Sequence, residues 1–191
     1  MTAARACALV VAAVLAAYAT AFGGAFQFDD FRVIVNNPAV HDGAAWWASM
    51  PGIRPLLKAT YTLSWIAGNG GTVAFHAFNV AVHATSACLV LLLVRHWTDG
   101  SVAMLPSGTP VAASPLGVPI AVALIFALHP AQTETVTYIS GRSSALMAMF
   151  YLGCVLAWER GRAAPSAWRW SALSLGLFAA ALAVKETAWT L

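Results

Sequence analysis

Residues 73–94 read Val-Ala-Phe-His-Ala-Phe-Asn-Val-Ala-Val-His-Ala-Thr-Ser-Ala-Cys-Leu-Val-Leu-Leu-Leu-Val, with no formal charge. A bilayer core takes about 20 predominantly apolar residues as helix, so this stretch reads as a membrane span. Its first half carries His76, Asn79 and His83 at i, i+3 and i+7, a spacing that stacks them on one helix face. A polar stripe on a spanning helix faces either its neighbours in the bundle or a wet cavity, and both readings stand. Chelation by the two histidines is disfavoured, because seven residues at 1.5 Å rise set them about 10 Å apart along the axis.

The surrounding chain agrees with a membrane setting. Of 191 residues, 60% are hydrophobic and 9% charged, against roughly a quarter charged in a soluble domain. The fold class is therefore an all-α polytopic membrane protein. A net charge of +3, dispersed along the chain, argues against a nucleic-acid partner. Cys7, Cys88 and Cys154 sit singly in apolar runs without a CxxC, as small bundle- or lipid-facing residues rather than disulfides or metal ligands.

Four further apolar windows, 6–26, 116–129, 143–158 and 170–184, bring the expected spans to about five. The first reads as a retained signal anchor, although Ala19-Thr20-Ala21 has the form of a cleavable site. The charge-free run before residue 94 is too long for one helix. Gly68-Asn69-Gly70-Gly71 divides it into an amphipathic segment and the span at 73–94. Pro106, Pro110, Pro115 and Pro119 suggest a cytoplasmic loop over about 100–115. Val33 to Pro38 reads as an extended run ending in a turn. Arg5, Arg95, Arg160, Arg162 and Arg169 fall on one side, and Arg32, Arg54, Lys58, Arg142 and Lys185 on the other. The count of bases thus does not orient the chain. The plain basic connector at 159–169 is assigned to the inside, which puts a long first loop, 27–72, outside.

The ionisable residues gather at the outer ends of the spans, where unpaired charge is expensive. Asp29-Asp30 follows the first span. Two adjacent carboxylates at an interface suit one of them to accept a proton as a general base; the plainer reading is a solvated cap. Arg54-Pro55-Leu56 opens the amphipathic segment, whose apolar positions include Leu57, Tyr61 and Trp65; an arginine at headgroup depth binds a phosphate or simply snorkels. His129-Pro130, Thr133-Glu134 and Ser140-Gly141-Arg142-Ser143-Ser144 occupy the turn between the third and fourth spans, with no HExxH and no GxSxG. Lys185-Glu186 ends the fifth span on the same side. No metal or other cofactor is demanded by this set, though a carboxylate pair leaves a divalent ion open.

Taken in order, Phe28-Asp29-Asp30 with Asn37-Pro38, Arg54-Pro55-Leu56 with Thr60-Tyr61, Phe75-His76 with Asn79 and His83, Phe126-Ala127-Leu128-His129-Pro130, Thr133-Glu134, Gly141-Arg142 and Lys185-Glu186 resemble a known family. The pattern is similar to the membrane half of the transmembrane and tetratricopeptide-repeat O-mannosyltransferases and their bacterial relatives, in the GT-C superfamily. The resemblance spans about 26–186 and implies a partial GT-C fold. It implies a glycosyltransferase that moves a sugar, with mannose expected, from a polyprenyl-phosphate donor to a protein hydroxyl at the extracytoplasmic membrane face; the Ala-rich composition and compact loops suggest that the membrane is a bacterial cytoplasmic one. It also implies that the chain is an amino-terminal portion, with further spans and tetratricopeptide repeats beyond it. Under that resemblance Asp29 or Asp30 is the base, with Asp29 favoured. Arg54, His129, Arg142 and Lys185 face the lipid phosphate, His76 and Asn79 orient groups in the cavity, and His83, Glu134 and Glu186 support them. The rival expectation is a non-catalytic anchor for a repeat scaffold.

Overall fold

A computed structural model describes residues 1–50, 52–98, 103–104, 110–111, 116–162 and 165–190. Eight α-helices carry the architecture: α1 (Ala3–Ala17), α2 (Gly43–Ala48), α3 (Pro55–Gly68), α4 (Val73–Thr98), α5 (Gly117–Leu128), α6 (Gln132–Thr137), α7 (Arg142–Gly161) and α8 (Ala167–Val184). The protein is an all-α membrane protein. Among the described residues, three helical segments are long and apolar enough to cross a membrane: Val73–Thr98, Ile139–Gly161 and Ala167–Val184. α1 and α5 are apolar but shorter; at 1.5 Å per residue the twelve residues of α5 extend only about 18 Å. Each of the five apolar windows is thus helical, while α1 stops at Ala17 and continues only as a 3₁₀ turn over Ala19–Gly23. The proline-rich loop expected at 100–115 lies mostly outside the described residues, apart from a two-residue β pairing of Ala103–Met104 with Pro110–Val111.

α4 is the central helix. On one side it packs against α1 and α5 around Ala6, Val10, Val14, Ala84, Ala87, Ala123 and Ala127. Small residues dominate that seam because, in lipid, helices associate by close packing rather than by escape from water. On its other side α4 meets α3 and α7 around Leu57, Tyr61, Phe75, Val82, Ile139 and Leu146. α8 then lies along α7. The break at Gly68–Gly71 is where the sequence placed it. α3 ends with Asn69 left-handed (φ 49°) and Gly70 at φ 79°, and left-handed residues close helices in this way.

One local expectation is corrected. Residues Phe31–Val35 form a π-helical turn, not an extended run. The Asn36 N–H reaches back to the Phe31 carbonyl at 2.7 Å, and the Asn37 side-chain amide donates to the Val33 carbonyl at 3.1 Å. These bonds outweigh the β preference of Val33, Ile34 and Val35. α3 is the amphipathic segment of the sequence, with Leu57 and Tyr61 buried. Its buried face is mixed, with Leu57, Thr60, Tyr61, Thr62 and Ser64, while Leu63 and Ile66 are exposed. Thr60 and Ser64 turn inward to serve a buried cation from α7, whereas the Thr62 hydroxyl donates to the Lys58 carbonyl of its own helix.

Candidate active site

That cation is Arg142, wholly buried at the first position of α7. Its Nε donates to the Asn79 side-chain oxygen at 2.7 Å. Nη1 donates to the Thr60 carbonyl at 2.9 Å and the Ser64 hydroxyl at 3.0 Å, and Nη2 to the Phe75 carbonyl at 3.0 Å. Every one of these acceptors is neutral. The guanidinium also lies 4.4 Å from the Phe78 ring centre and 5.0 Å from that of Tyr61, close enough for cation–π attraction. Arg142 therefore ties α3, α4 and α7 into one knot.

The stripe on α4 faces the bundle interior. His76 Nε2 meets the Gly24 carbonyl at 3.2 Å, and His83 Nε2 meets the Ala127 carbonyl at 2.9 Å. Since a carbonyl only accepts, both rings carry their proton on Nε2. The Asn79 amide lies 3.3 Å from the carbonyls of Val136 and Tyr138. Three side chains of one helix thus hold the ends of three other segments by their free backbone carbonyls. His76, Asn79 and His83 are all buried and line no wall of the cavity below. The His76 Nδ1 is buried with no hydrogen-bond partner.

The two adjacent aspartates part company. Asp30 is wholly buried, and its carboxylate accepts the backbone N–H groups of Gln27 and Ser140, each at 2.9 Å, together with the Ser140 hydroxyl. It is a buried latch between the end of the first span and the turn before α7, not a solvated cap. Asp29 points the other way. It is exposed, and its carboxylate lies 3.7 Å from Arg32, itself exposed. Its backbone N–H donates to the Tyr138 hydroxyl at 3.1 Å.

Asp29 opens onto a cavity of about 310 Å³, whose walls include Arg32, Arg54, Tyr61, Glu134, Tyr138 and Ser143. That size lies at the small end of the range of about 300–1,000 Å³ for small-ligand sites. A second cavity of about 510 Å³, lined by Thr20, Gly24, Gln27 and Phe28, shares Glu134 and Tyr138 with the first. Arg54 is held by a two-pronged bond to Glu186, Nε to Oε2 at 3.0 Å and Nη2 to Oε1 at 2.6 Å. The fork raises the Arg54 pKa and draws the Glu186 carboxyl down to about 2. Burial pushes the Tyr61 phenol up to about 12, so it stays neutral on the cavity wall. Lys185 donates to the Ser144 hydroxyl at 2.8 Å, and Ser144 also lines this cavity. His129 is exposed and uses Nδ1 to accept the Ala131 N–H at 3.1 Å, in the turn before α6.

Two residues that carry a side chain are left-handed at this site: Phe28 at φ 43°, beside Asp29, and Arg54 at φ 57°, before Pro55. Each such residue costs on the order of 1–3 kcal/mol, and strain of this kind gathers at functional sites. Among the described residues, no group of three or more His, Cys, Asp or Glu side chains stands together as a metal site. Asp29, Glu134 and two arginines on one wall can accept a proton and face an anionic group.

No family model and no solved structure gives a significant match to this chain. Curated proteins do. The chain is 25% identical to human protein O-mannosyl-transferase TMTC3, over 92% of this chain and 19% of that protein. It is 31% identical to human protein O-mannosyl-transferase TMTC1, over 98% of this chain and 22% of that protein. Mouse protein O-mannosyl-transferase TMTC4 is 31% identical over 90% of this chain and 26% of its own length. Over nine-tenths or more of its length the chain is thus similar to TMTC O-mannosyl-transferases. It spans about a fifth to a quarter of the length of those TMTC relatives.

Of the residues the sequence singled out, Asp29, Arg54 and Glu134 share the cavity wall. Lys185 and Glu186 touch its members Ser144 and Arg54. Asp30, His76, Asn79, His83 and Arg142 are buried away from it, and His129 lies outside it. Sequence reasoning missed Arg32, Tyr138 and Ser143 as wall residues. Arg32 had been weighed only as a topogenic charge, yet its position three residues after Asp29 is a spacing that brings side chains together on a helical turn.

Proposed function

We propose that the full-length protein is an inverting glycosyltransferase, and that this chain supplies the wall of its site bearing the base and the phosphate ligands. The sugar, with mannose expected from the relatives' names, comes from a polyprenyl phosphate and goes to a protein hydroxyl at the extracytoplasmic membrane face. The observation that carries this reading is the split of the aspartate pair. Asp30 is spent on backbone N–H groups, whereas Asp29 is exposed on a cavity shared with Arg32 and Arg54.

In the proposed step the acceptor hydroxyl oxygen forms a bond to the sugar's anomeric carbon. The bond from that carbon to the lipid phosphate oxygen breaks, and its electron pair leaves on the phosphate. The hydroxyl proton passes to the Asp29 carboxylate, as in general-base activation of water by inverting glycosidases. Arg54 and Arg32 face the charge growing on the phosphate. Glu186 sets the direction of the Arg54 fork, and Lys185 acts through Ser144. The scheme draws on no metal.

The test compares wild type, Asp29→Asn and Asp30→Asn in membranes, with polyprenyl-phosphate mannose and a hydroxyl-bearing acceptor. Asp29→Asn should abolish transfer while leaving protein abundance and lipid-donor binding unchanged. Undiminished transfer by Asp29→Asn would remove it as the base. A wild type that transfers none of several polyprenyl-linked sugars would favour a non-catalytic membrane anchor instead.

A further inference from the structure

The far end of α7 carries a separate feature. Between α4, α7 and α8 runs an open groove of about 260 Å³, with Leu89, Phe150, Gly153, Leu173 and Leu177 on its walls. One charged residue, Arg160, lines it. Arg160 is eighteen positions beyond Arg142 on the same helix, so the two lie about 27 Å apart along its axis. The groove is therefore remote from the candidate site and does not depend on the glycosyltransferase reading.

Arg160 is half-buried, with its guanidinium carbon 5.8 Å from the Trp170 ring centre. The carboxylate beside it in sequence, Glu159, turns instead to Arg162 at 3.6 Å and His96 at 4.0 Å. Among the described residues no carboxylate pairs with Arg160. A guanidinium held on an indole face, with its hydrogen-bonding fork uncommitted, suits a phosphate. Tryptophan and arginine at one end of an apolar channel are also the pairing found where a spanning helix meets the headgroup layer. Arg169 adds positive charge at this end, beyond the Glu159–Arg162 pair, which favours an anionic over a zwitterionic lipid.

We propose that this groove binds one anionic phospholipid, with an acyl chain against Leu89, Phe150 and Leu177 and its phosphate on Arg160.

The test uses the full-length protein in mild detergent with equal amounts of phosphatidylglycerol and phosphatidylcholine of identical chains, reading retained lipid by native mass spectrometry. Wild type should retain phosphatidylglycerol several-fold over phosphatidylcholine. Arg160→Gln should bring the ratio to parity, and Arg160→Lys should keep part of the preference. Leu173→Trp, at an exposed groove position, should lower retention of both lipids without lowering the melting temperature. If Arg160→Gln fails to fold, Arg160→Lys and Leu173→Trp carry the same comparison. No preference in wild type, or a preference unchanged by Arg160→Gln, overturns the proposal. So does a dimer that Leu173→Trp dissociates and lipid leaves unaffected, since a second chain would then be the occupant.

Discussion

At the residue scale, neighbouring positions with like chemistry meet opposite fates. Asp30 has two backbone N–H groups and a hydroxyl pointed at its carboxylate, in a wholly buried place. Replacing it with asparagine turns one acceptor oxygen into a donor that faces other donors. Asp30→Asn should therefore lose about 1–3 kcal/mol of stability. Asp29→Asn should stay within about 0.5 kcal/mol, because the Arg32 pair it weakens is solvent-screened. Chemical unfolding in detergent separates the two, and equal losses would contradict the latch assigned to Asp30. Arg142 carries a larger stake. Arg142→Met leaves the Asn79 side-chain oxygen without its Arg142 donor and takes the second donor from the helical Thr60 and Phe75 carbonyls in a buried site, a loss of about 3–5 kcal/mol. Arg142→Lys should recover little, since one ammonium cannot reach partners spread around a planar fork. A loss below about 1 kcal/mol for Arg142→Met would show that the knot does not hold the helices.

At the scale of elements, α4 acts as a register bar. Its histidines and asparagine each take hold of backbone carbonyls of another segment, and one contact is close enough to probe sterically. A Cβ added at Gly24 would stand 2.8 Å from His76 Nε2, inside the distance at which something must move. Gly24→Ala should push the segment after α1 away from α4, break the 3.2 Å bond to His76 and destabilise by about 1–3 kcal/mol. His76→Gln in the Gly24→Ala background measures the coupling. A nearly additive double mutant would mean that the bond was never a link between these elements.

At the scale of the whole molecule, the Arg54–Glu186 fork joins the start of α3 to the turn after α8, tying the cavity residue Arg54 to one far away in sequence. The Glu186 carboxyl is depressed from an ordinary 4.5 to about 2. A carboxyl lowered by folding stabilises the fold above its unfolded pKa, and that contribution disappears as pH falls through the folded value. Wild type should therefore melt above Glu186→Gln at neutral pH, with the gap constant down to about pH 4.5 and closing towards about pH 2. Because the pair is exposed, salt should shrink the gap as well. A gap that persists unchanged at the acid end would assign the effect to packing rather than charge.

The helical membrane class and the break at Gly68–Gly71 were legible in the chain itself, because charge depletion over twenty residues and clustered glycines act locally and carry their own physics. So was the likeness to the O-mannosyl-transferases, from short motifs kept in order. The roles of the motif residues were not legible. Sequence placed Asp29, Asp30, Arg54, Arg142 and the α4 stripe near one end of the spans, and that much is one-dimensional. Which of them face a cavity depends on what else claims their hydrogen bonds. Ser140 claims Asp30 across 110 positions, Thr60 claims Arg142 across 82, and Glu186 claims Arg54 across 132. A buried polar group must be paired or it costs stability, so the packing of distant segments selected the residues that stay buried. Asp29 was left exposed on the cavity, since among the described residues no buried donor reaches its carboxylate.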